Sequence, residues 1–303
     1  MILADYTVLF NPFAGNGKGE EESKKLNEIL KNDTLHFYDL TRIDDYGAFF
    51  RQLSMKTNVV ISGGDGTLNR FVNDVDEEFF DRDIYYYASG TGNDFLLDVG
   101  KKKGCPPFII NEYIINLPTV TVNGRTSKFI NGVGYGIDGY CCEEGDRIRK
   151  IPGKKVDYTA IAIKGMLGKY KAANAEITVD GKTKSYKKAW LVPTMNGRFY
   201  GGGIMPTPNQ DRLENETVST MVFYGSGRLK TLIIFPTIFK GEHVKHTDVI
   251  EVFKGKKIKV SFDRPTALQI DGETITGVTE YSVKACVNRR NMSKSDKDTA
   301  EAL

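Results

Sequence analysis

Cysteine is scarce and poorly placed for cross-linking: the 303 residues hold four, with Cys105 and Cys286 alone and Cys141 beside Cys142. That pattern excludes a disulfide framework and the paired spacing of a zinc site, and it fits a reducing cytoplasm. Long apolar runs are missing too. The greasiest stretch, Leu232 to Phe239, is broken by Pro236 and falls far short of the roughly 20 residues that span a bilayer. Residues Met1 to Tyr6 lack the basic region and apolar core of a secretory signal, so no export is expected. The net charge of +3 is too small for wholesale binding to a polyanion. Aromatic residues are thinly interleaved with the basic ones, which argues against nucleic acid. No internal repeat or low-complexity segment is visible.

What is present reads as two folded domains. Hydrophobic residues at 40% and charged residues at 27% are ordinary globular values, and 303 residues exceed one typical core. Tyr6 to Phe10, Leu35 to Leu40, Asn58 to Ser62 and Ile84 to Ala88 read as short strands. Helical spacing separates them, at Leu26, Ile29 and Leu30, at Phe49, Phe50 and Leu53, and at Leu68, Phe71, Val72 and Val75. Such alternation predicts a mainly parallel sheet covered by helices. Tyr85, Tyr86 and Tyr87 read as sheet packing and Trp190 as core.

From about Pro118 the pattern changes. Asn123-Gly124 and Asp180-Gly181 mark tight hairpin turns between Thr119 to Val122 and Ser127 to Asn131, and between Ala175 to Val179 and Ser185 to Val192. Further strands are expected at Val218 to Tyr224, Ile250 to Phe253, Lys257 to Phe262 and Thr266 to Ile270, with one helix at Asp157 to Tyr170. The second half is therefore mostly antiparallel β, and the polar tail after Asn288 reads as mobile.

Three glycine-rich loops should gather where parallel strands end and helices begin, the usual ligand edge of such a sheet. They are Asn11 to Gly19, with Gly15 and Gly17; Ser62 to Thr67, with Gly63, Gly64 and Gly66; and Gly90-Thr91-Gly92-Asn93-Asp94. Glycines let a backbone approach phosphate closely, and a helix start supplies unpaired N–H groups. A single such loop is more often a plain tight turn; three at one edge are not. Asp65 sits between glycines at a helix entrance, where a carboxylate beside phosphates repels them unless a divalent cation intervenes. Thr67 can cap the helix or donate to phosphate. No G-x-x-x-x-G-K-[ST] loop, dinucleotide fingerprint or protein-kinase motif set is present.

Asn11-Pro12 to Gly19, Gly63-Gly64-Asp65-Gly66-Thr67-Leu68-Asn69 and Gly90-Thr91-Gly92-Asn93-Asp94-Phe95 together resemble the catalytic-domain signatures of the diacylglycerol kinase and sphingosine kinase superfamily, in its bacterial lipid-kinase form. The likeness continues through Phe129 to Gly134, Gly201-Gly202-Gly203 and Asp271-Gly272-Glu273. It implies an N-terminal Rossmann-like α/β nucleotide-binding domain over 1–120 and a C-terminal antiparallel β-sandwich lipid domain over 121–277, with residues from about 278 to 303 returning to the first. It also implies ATP and Mg²⁺ as cofactors and a lipid hydroxyl, most simply that of diacylglycerol, as acceptor.

By position, the resemblance places Asp65 at Mg²⁺-ATP, lines the phosphates with Gly63, Gly64, Gly66 and Thr67, and shapes the nucleotide pocket with Asn11, Gly90, Thr91 and Asn93. Asp271 and Glu273 fall in a motif of the second domain, and the resemblance places both, with Asp65, among the catalytic residues. Glu273 is expected to be the general base, with Asp65 its competitor, because that role needs an acid not tied up by metal. Without the resemblance, Asp271-Gly272 reads as a hairpin turn with Glu273 solvated. Similar enzymes carry Asp-Asp-Gly at a structural magnesium site where this chain has Glu214-Asn215-Glu216. An amide at Asn215 weakens that hard-cation site.

Two other readings stay open: an NAD kinase-like phosphotransferase, since those enzymes share a Gly-Gly-Asp-Gly loop, and a non-catalytic nucleotide- or lipid-binding regulator. The basic run Arg147, Arg149, Lys150, Lys154, Lys155, Lys164, Lys169 and Lys171 suits peripheral contact with an anionic membrane or a solvated helix face. His243 and His246 lack a third ligand and read as an ordinary loop. An edge strand could pair subunits into a homodimer.

Overall fold

The computed structural model of the protein describes residues 4–90, 92–154, 156–213 and 216–286. Thr91, Lys155, Asn215 and the tail from 287 lie outside the described residues, so the roles expected of them stand without a structural account.

Strands Asp5–Phe10 (β1), Thr34–Asp39 (β2), Asn58–Gly63 (β3) and Ile84–Ala88 (β4) run parallel, and Phe108–Ile109 (β5) adds an antiparallel edge. Their order is β2-β1-β3-β4-β5. Thr7 to Phe10 and Val59 to Gly63 are buried on both faces, as parallel strands covered by helices require, whereas edge strand β2 alternates between half-buried and exposed. Helix Tyr46–Gln52 starts where Asp45 accepts the N–H of Ala48 at 2.8 Å. Helix Asp65–Asp74 turns Leu68, Phe71 and Val72 onto the core, with Val75 just beyond. Tyr86 and Tyr87 are buried in β4, as expected of sheet packing.

The chain leaves β1 toward β2 on one side and then reaches β3 on the other. This reversal opens a crevice outside the carboxyl ends of β1 and β3, the position at which open α/β sheets hold ligands.

The first compact unit runs to Ile115 and takes in Phe199–Gly203; the second holds the rest from Asn116. It is built on Thr119–Val122 (β6), Arg125–Lys128 (β7), Gly132–Tyr135 (β8), Ala173–Val179 (β9), Lys182–Ala189 (β10), Thr194–Met195 (β11), Val218–Phe223 (β12), Ile250–Gly255 (β13), Lys257–Ile270 (β14) and Glu273–Lys284 (β15). Every pairing among them is antiparallel. Three two-residue turns, Asn123-Gly124, Asp180-Gly181 and Asp271-Gly272, have positive φ at both positions (49°/77°, 48°/84° and 46°/95°), the geometry that matches strand twist. At its core Tyr135 stacks on Phe262, with centroids 3.8 Å apart, and meets Tyr281 edge-on. Trp190 is buried, as expected.

Three expectations need correction. Residues 278–284 do not return to the first unit, because β15 pairs with β14 and with β6. The two strands expected at 257–262 and 266–270 are one strand, β14, whose register shifts between Ser261 and Thr266 where Pro265 cannot donate to the ladder. The second unit also carries more than one helix: Ile137–Arg149 and Arg228–Ile234 join Tyr158–Lys164, which runs into a π turn at Gly165–Lys169. Gly139 and Gly145 hide the helical period of Ile137–Arg149, and Gly139 is needed there because a Cβ would sit 2.0 Å from the carbonyl oxygen of Ala267.

Candidate active site

The three glycine loops interlock at the switch point. Asn11 donates its N–H to the carbonyl of Ser62 at 3.2 Å and its Nδ2 to Thr67 Oγ1 at 3.1 Å, tying the first loop to the second. Ser89 and Gly90 both donate their N–H groups to the carbonyl of Gly63, at 3.0 and 3.2 Å, tying the third loop to the second. Beneath them three buried serines form a chain: Ser23 Oγ lies 2.7 Å from Ser62 Oγ, which donates to Ser89 Oγ at 3.2 Å. A Cβ on Gly90 would sit 2.5 Å from the Cα of Gly64, so the two backbones touch only because neither has a side chain. In the first loop Gly15, Asn16 and Gly17 are all left-handed, with φ of 60°, 61° and 85°.

Asp65 is the keystone. Its Oδ2 accepts the N–H of Asp94 at 2.7 Å and its Oδ1 that of Phe95 at 3.1 Å, so it caps helix Asp94–Asp98 from the start of helix Asp65–Asp74. Asp94 in turn accepts the N–H groups of Gly202 and Gly203, at 2.8 and 2.7 Å, which fastens Gly201-Gly202-Gly203 to this unit. Thr67 does not cap: Gly64 is the N-cap, and the buried Thr67 hydroxyl receives Asn11. Gly66 faces open space at the helix start. The roles of Ser23, Ser62, Ser89 and Asp94 escape sequence reasoning, as does Lys103, whose ammonium donates to the carbonyl of Gly90 at 2.9 Å. Only the position of Ser62, Ser89 and Asp94, each where strand, loop or helix meet, could have drawn notice; Ser23 lies inside helix Gly19–Lys24 and carries no such signal.

In the second unit Asp271 accepts three backbone N–H groups, from Ile130 at 2.5 Å and from Asn131 and Gly132 at 2.9 Å each. It fixes the segment before β8 to the β14–β15 turn, with its lone pairs already engaged. Glu273, two residues on, is exposed at the start of β15. Arg212 reinforces the same segment by donating to the carbonyl of Ile130 and to Asn131 Oδ1.

The first unit suits a nucleotide triphosphate. A helix start lies open at Gly66, the Gly64–Gly90 contact leaves bare backbone, and Asn93 Oδ1 is buried without a hydrogen-bond partner. For magnesium, the described residues hold no group of three or more His, Cys, Asp or Glu side chains that could cage an ion. Asp65 can still serve, since magnesium in such sites takes one or two carboxylates and completes its shell with phosphate and water. His243 is core rather than ligand: it is buried, its Nε2 lies 2.9 Å from the carbonyl oxygen of Pro206, and burial lowers the pKa of its ring. Arg147 and Arg149 pair with Glu144 and Asp146 on their own helix, so they are not loose cations.

A parallel sheet with linked phosphate-type loops, joined in sequence to an all-antiparallel unit, is the organisation of a two-domain phosphotransferase. Residues 5–117 match the diacylglycerol kinase catalytic domain, and residues 131–286 match the YegS C-terminal NAD kinase beta sandwich-like domain. The chain belongs to this lipid kinase family. It is 25% identical over 269 residues to a diacylglycerol kinase of Mycobacterium tuberculosis (strain CDC 1551 / Oshkosh), covering 85% of each chain. It is 27% identical over 220 residues to a Staphylococcus aureus (strain JH9) protein named provisionally as a lipid kinase, covering 70% of this chain and 69% of that one. A crystal structure of a diacylglycerol kinase from Bacillus anthracis str. Sterne shares the fold, with a TM-score of 0.56, 18% identity and coverage of 94% and 95%. Among the described residues no helix is long and apolar enough to cross a membrane.

Proposed function

We propose that the chain transfers the γ-phosphate of ATP to the hydroxyl of a lipid, diacylglycerol or a close relative. The observation that carries this reading is the knot of three glycine loops closed by Asp65 at the switch point. Magnesium ATP would supply the phosphoryl group and the cation that offsets its charge. Backbone at Gly63, Gly64 and Gly66 would line the phosphates, and Gly15, Gly17, Gly90, Asn11 and Asn93 would shape the nucleotide pocket, the Asn93 oxygen gaining the partner it lacks. Asp65 would hold the metal while keeping the third loop on the second.

Phosphoryl transfer asks for positioning and charge neutralisation more than for covalent chemistry, and a rigid loop set provides the first. Glu273 would accept the proton of the lipid hydroxyl, since Asp65 and Asp271 are already committed to backbone donors. Asp271 then acts as a positioning residue.

Incubation with γ-labelled ATP, magnesium and a panel of diacylglycerol, phosphatidylglycerol, sphingoid bases and NAD tests the reading. Label in the lipid phase is the expected result. Label in NAD would assign an NAD kinase-like acceptor, and ATP binding with no transfer would point to a regulator.

A further inference from the structure

Lys101, Lys102 and Lys103 follow helix Asp94–Asp98 in direct succession, and their side chains part ways. The ammonium of Lys101 lies 5.4 Å from the centroid of the Phe108 ring, whereas Lys103 turns back to the third glycine loop and donates to the carbonyl of Gly90 at 2.9 Å. The same carbonyl receives Nδ2 of Asn93 at 3.1 Å. Two side chains thus converge on the glycine whose backbone touches Gly64, and the Asn93 oxygen left over is the one buried without a partner.

Lys103 keeps its charge there. Lys24 and Lys25 are offset by Glu20 and Glu22, at 2.8 Å each, and Arg42 by Asp39 at 3.3 Å. A carbonyl offsets nothing, and an ammonium has three N–H donors, of which Gly90 takes one. Covalent dimensions put this ammonium within about 6 Å of the Gly90 Cα, on backbone that meets Gly64 with no side chain between. Its field also reaches the helix after the first loop, where the Glu22 carboxyl is held below its ordinary value by Lys25 first and by Lys103 and Lys18 to a lesser degree.

The loops themselves supply no cation. Neither Ser62 to Thr67 nor Gly90 to Asp94 contains a lysine or arginine. Magnesium offsets only part of the charge of a triphosphate, and nucleotide sites that transfer phosphate commonly add a lysine for the rest. Asp65, the metal-holding group, grips the far end of the third loop through the N–H groups of Asp94 and Phe95, so the transferred phosphate belongs at that end and the others nearer Gly90.

We propose that Lys103 is a phosphate-binding cation of the nucleotide site and holds the part of ATP that is not transferred. The inference rests on the reading of the first unit as a nucleotide site, and it is independent of which acceptor takes the phosphate. A contact with phosphates that do not react is the same before and during transfer, so it acts on KM and leaves kcat alone.

Calorimetry and steady-state label transfer with magnesium ATP, on the full chain and on K103Q and K103R, test this. K103Q keeps an N–H for the Gly90 carbonyl and loses the charge. Its Kd and KM for magnesium ATP should rise about tenfold with kcat within about twofold of wild type, the scale of one lost charge contact. Its Kd for adenosine, which has no phosphate, should stay at the wild-type value. K103R should recover most of the affinity for ATP. Added salt should weaken ATP binding more steeply in the wild type than in K103Q, because only the wild type has that attraction to screen.

ATP binding by K103Q equal to wild type would overturn the inference. So would a loss shared equally by ATP and adenosine, which would make Lys103 a support of the third loop, or a fall in kcat at unchanged KM, which would move it to the transferred phosphate. Failure of the lipid kinase reading looks different: ATP affinity differs between wild type and K103Q as expected, yet no lipid is labelled. Wild type that ignores magnesium ATP would remove the nucleotide site and the inference with it.

Discussion

Asp65 and Asp271 look alike in sequence, each an acid against glycine in a short motif, and they do the same local work by different routes. Asp65 closes loop on loop at the mouth of a parallel sheet, accepting two N–H groups beside backbone too close-set for side chains. Asp271 sits in a two-residue hairpin turn, accepting three N–H groups from the start of another strand. The difference lies in what surrounds them: an open helix start and the unpartnered Asn93 oxygen beside the first, and an exposed carboxylate, Glu273, two residues past the second. A motif acid is therefore sorted into holding or chemistry by its donors and its neighbours, not by its place in the motif.

The sharpest way to break that contrast is to remove charge without removing shape. Asp65→Asn and Glu273→Gln should each lower turnover about a hundredfold or more, the scale of a lost electrostatic or acid-base group. Single-turnover label transfer measures it. The two should then part in urea: Glu273→Gln should stay within about 0.5 kcal/mol of wild type, as exposed substitutions do. Asp65→Ala should lose about 2 kcal/mol from two orphaned N–H groups.

Asp271→Ala should also cost about 2 kcal/mol, and its lost turnover should return when the protein is held well below its melting temperature. Loss of turnover with full stability would make Asp271 catalytic and erase the distinction. Gly90→Ala tests the other half of the contrast. Its new Cβ would press on Gly64 from 2.5 Å, so the loops must part, with nucleotide affinity falling about tenfold at an overpacking cost of about 1 kcal/mol. Calorimetry with magnesium ATP reads the first and urea the second.

The smallest effect belongs to His243, which neither acid touches. Burial depresses the pKa of its imidazole from 6.5, so the unfolded chain takes up this proton first as pH falls. Its contribution is fully present above pH 6.5 and is lost as pH drops through the lower folded value. The urea midpoint should fall between pH 7 and pH 5 by an amount that shrinks in His243→Gln.

Much of this was legible beforehand because local chemistry carried it. Asn58 to Ser62 reads as a short strand, and Val59, Val60 and Ile61 are buried in it; Leu68, Phe71 and Val72 share a helical face, and Asn123-Gly124 and Asp180-Gly181 fit the turns they make. The glycine loops were legible as a group, since three strand ends of one parallel sheet must share an edge. What stayed hidden depends on partners far away in sequence. Helix Ile137–Arg149 needs Gly139 for the carbonyl of Ala267, and the grip of Asp94 on Gly202 and Gly203 spans more than a hundred residues.

Transfer of γ-labelled phosphate from magnesium ATP, compared between wild type and Asp65→Asn, bears most directly on the central claim that the loop knot around Asp65 is a phosphotransfer site for lipid. Rapid label in diacylglycerol with the wild type and about a hundredfold less with the variant is the expected result. Equal transfer by both proteins, or label that enters NAD and never lipid, would contradict it.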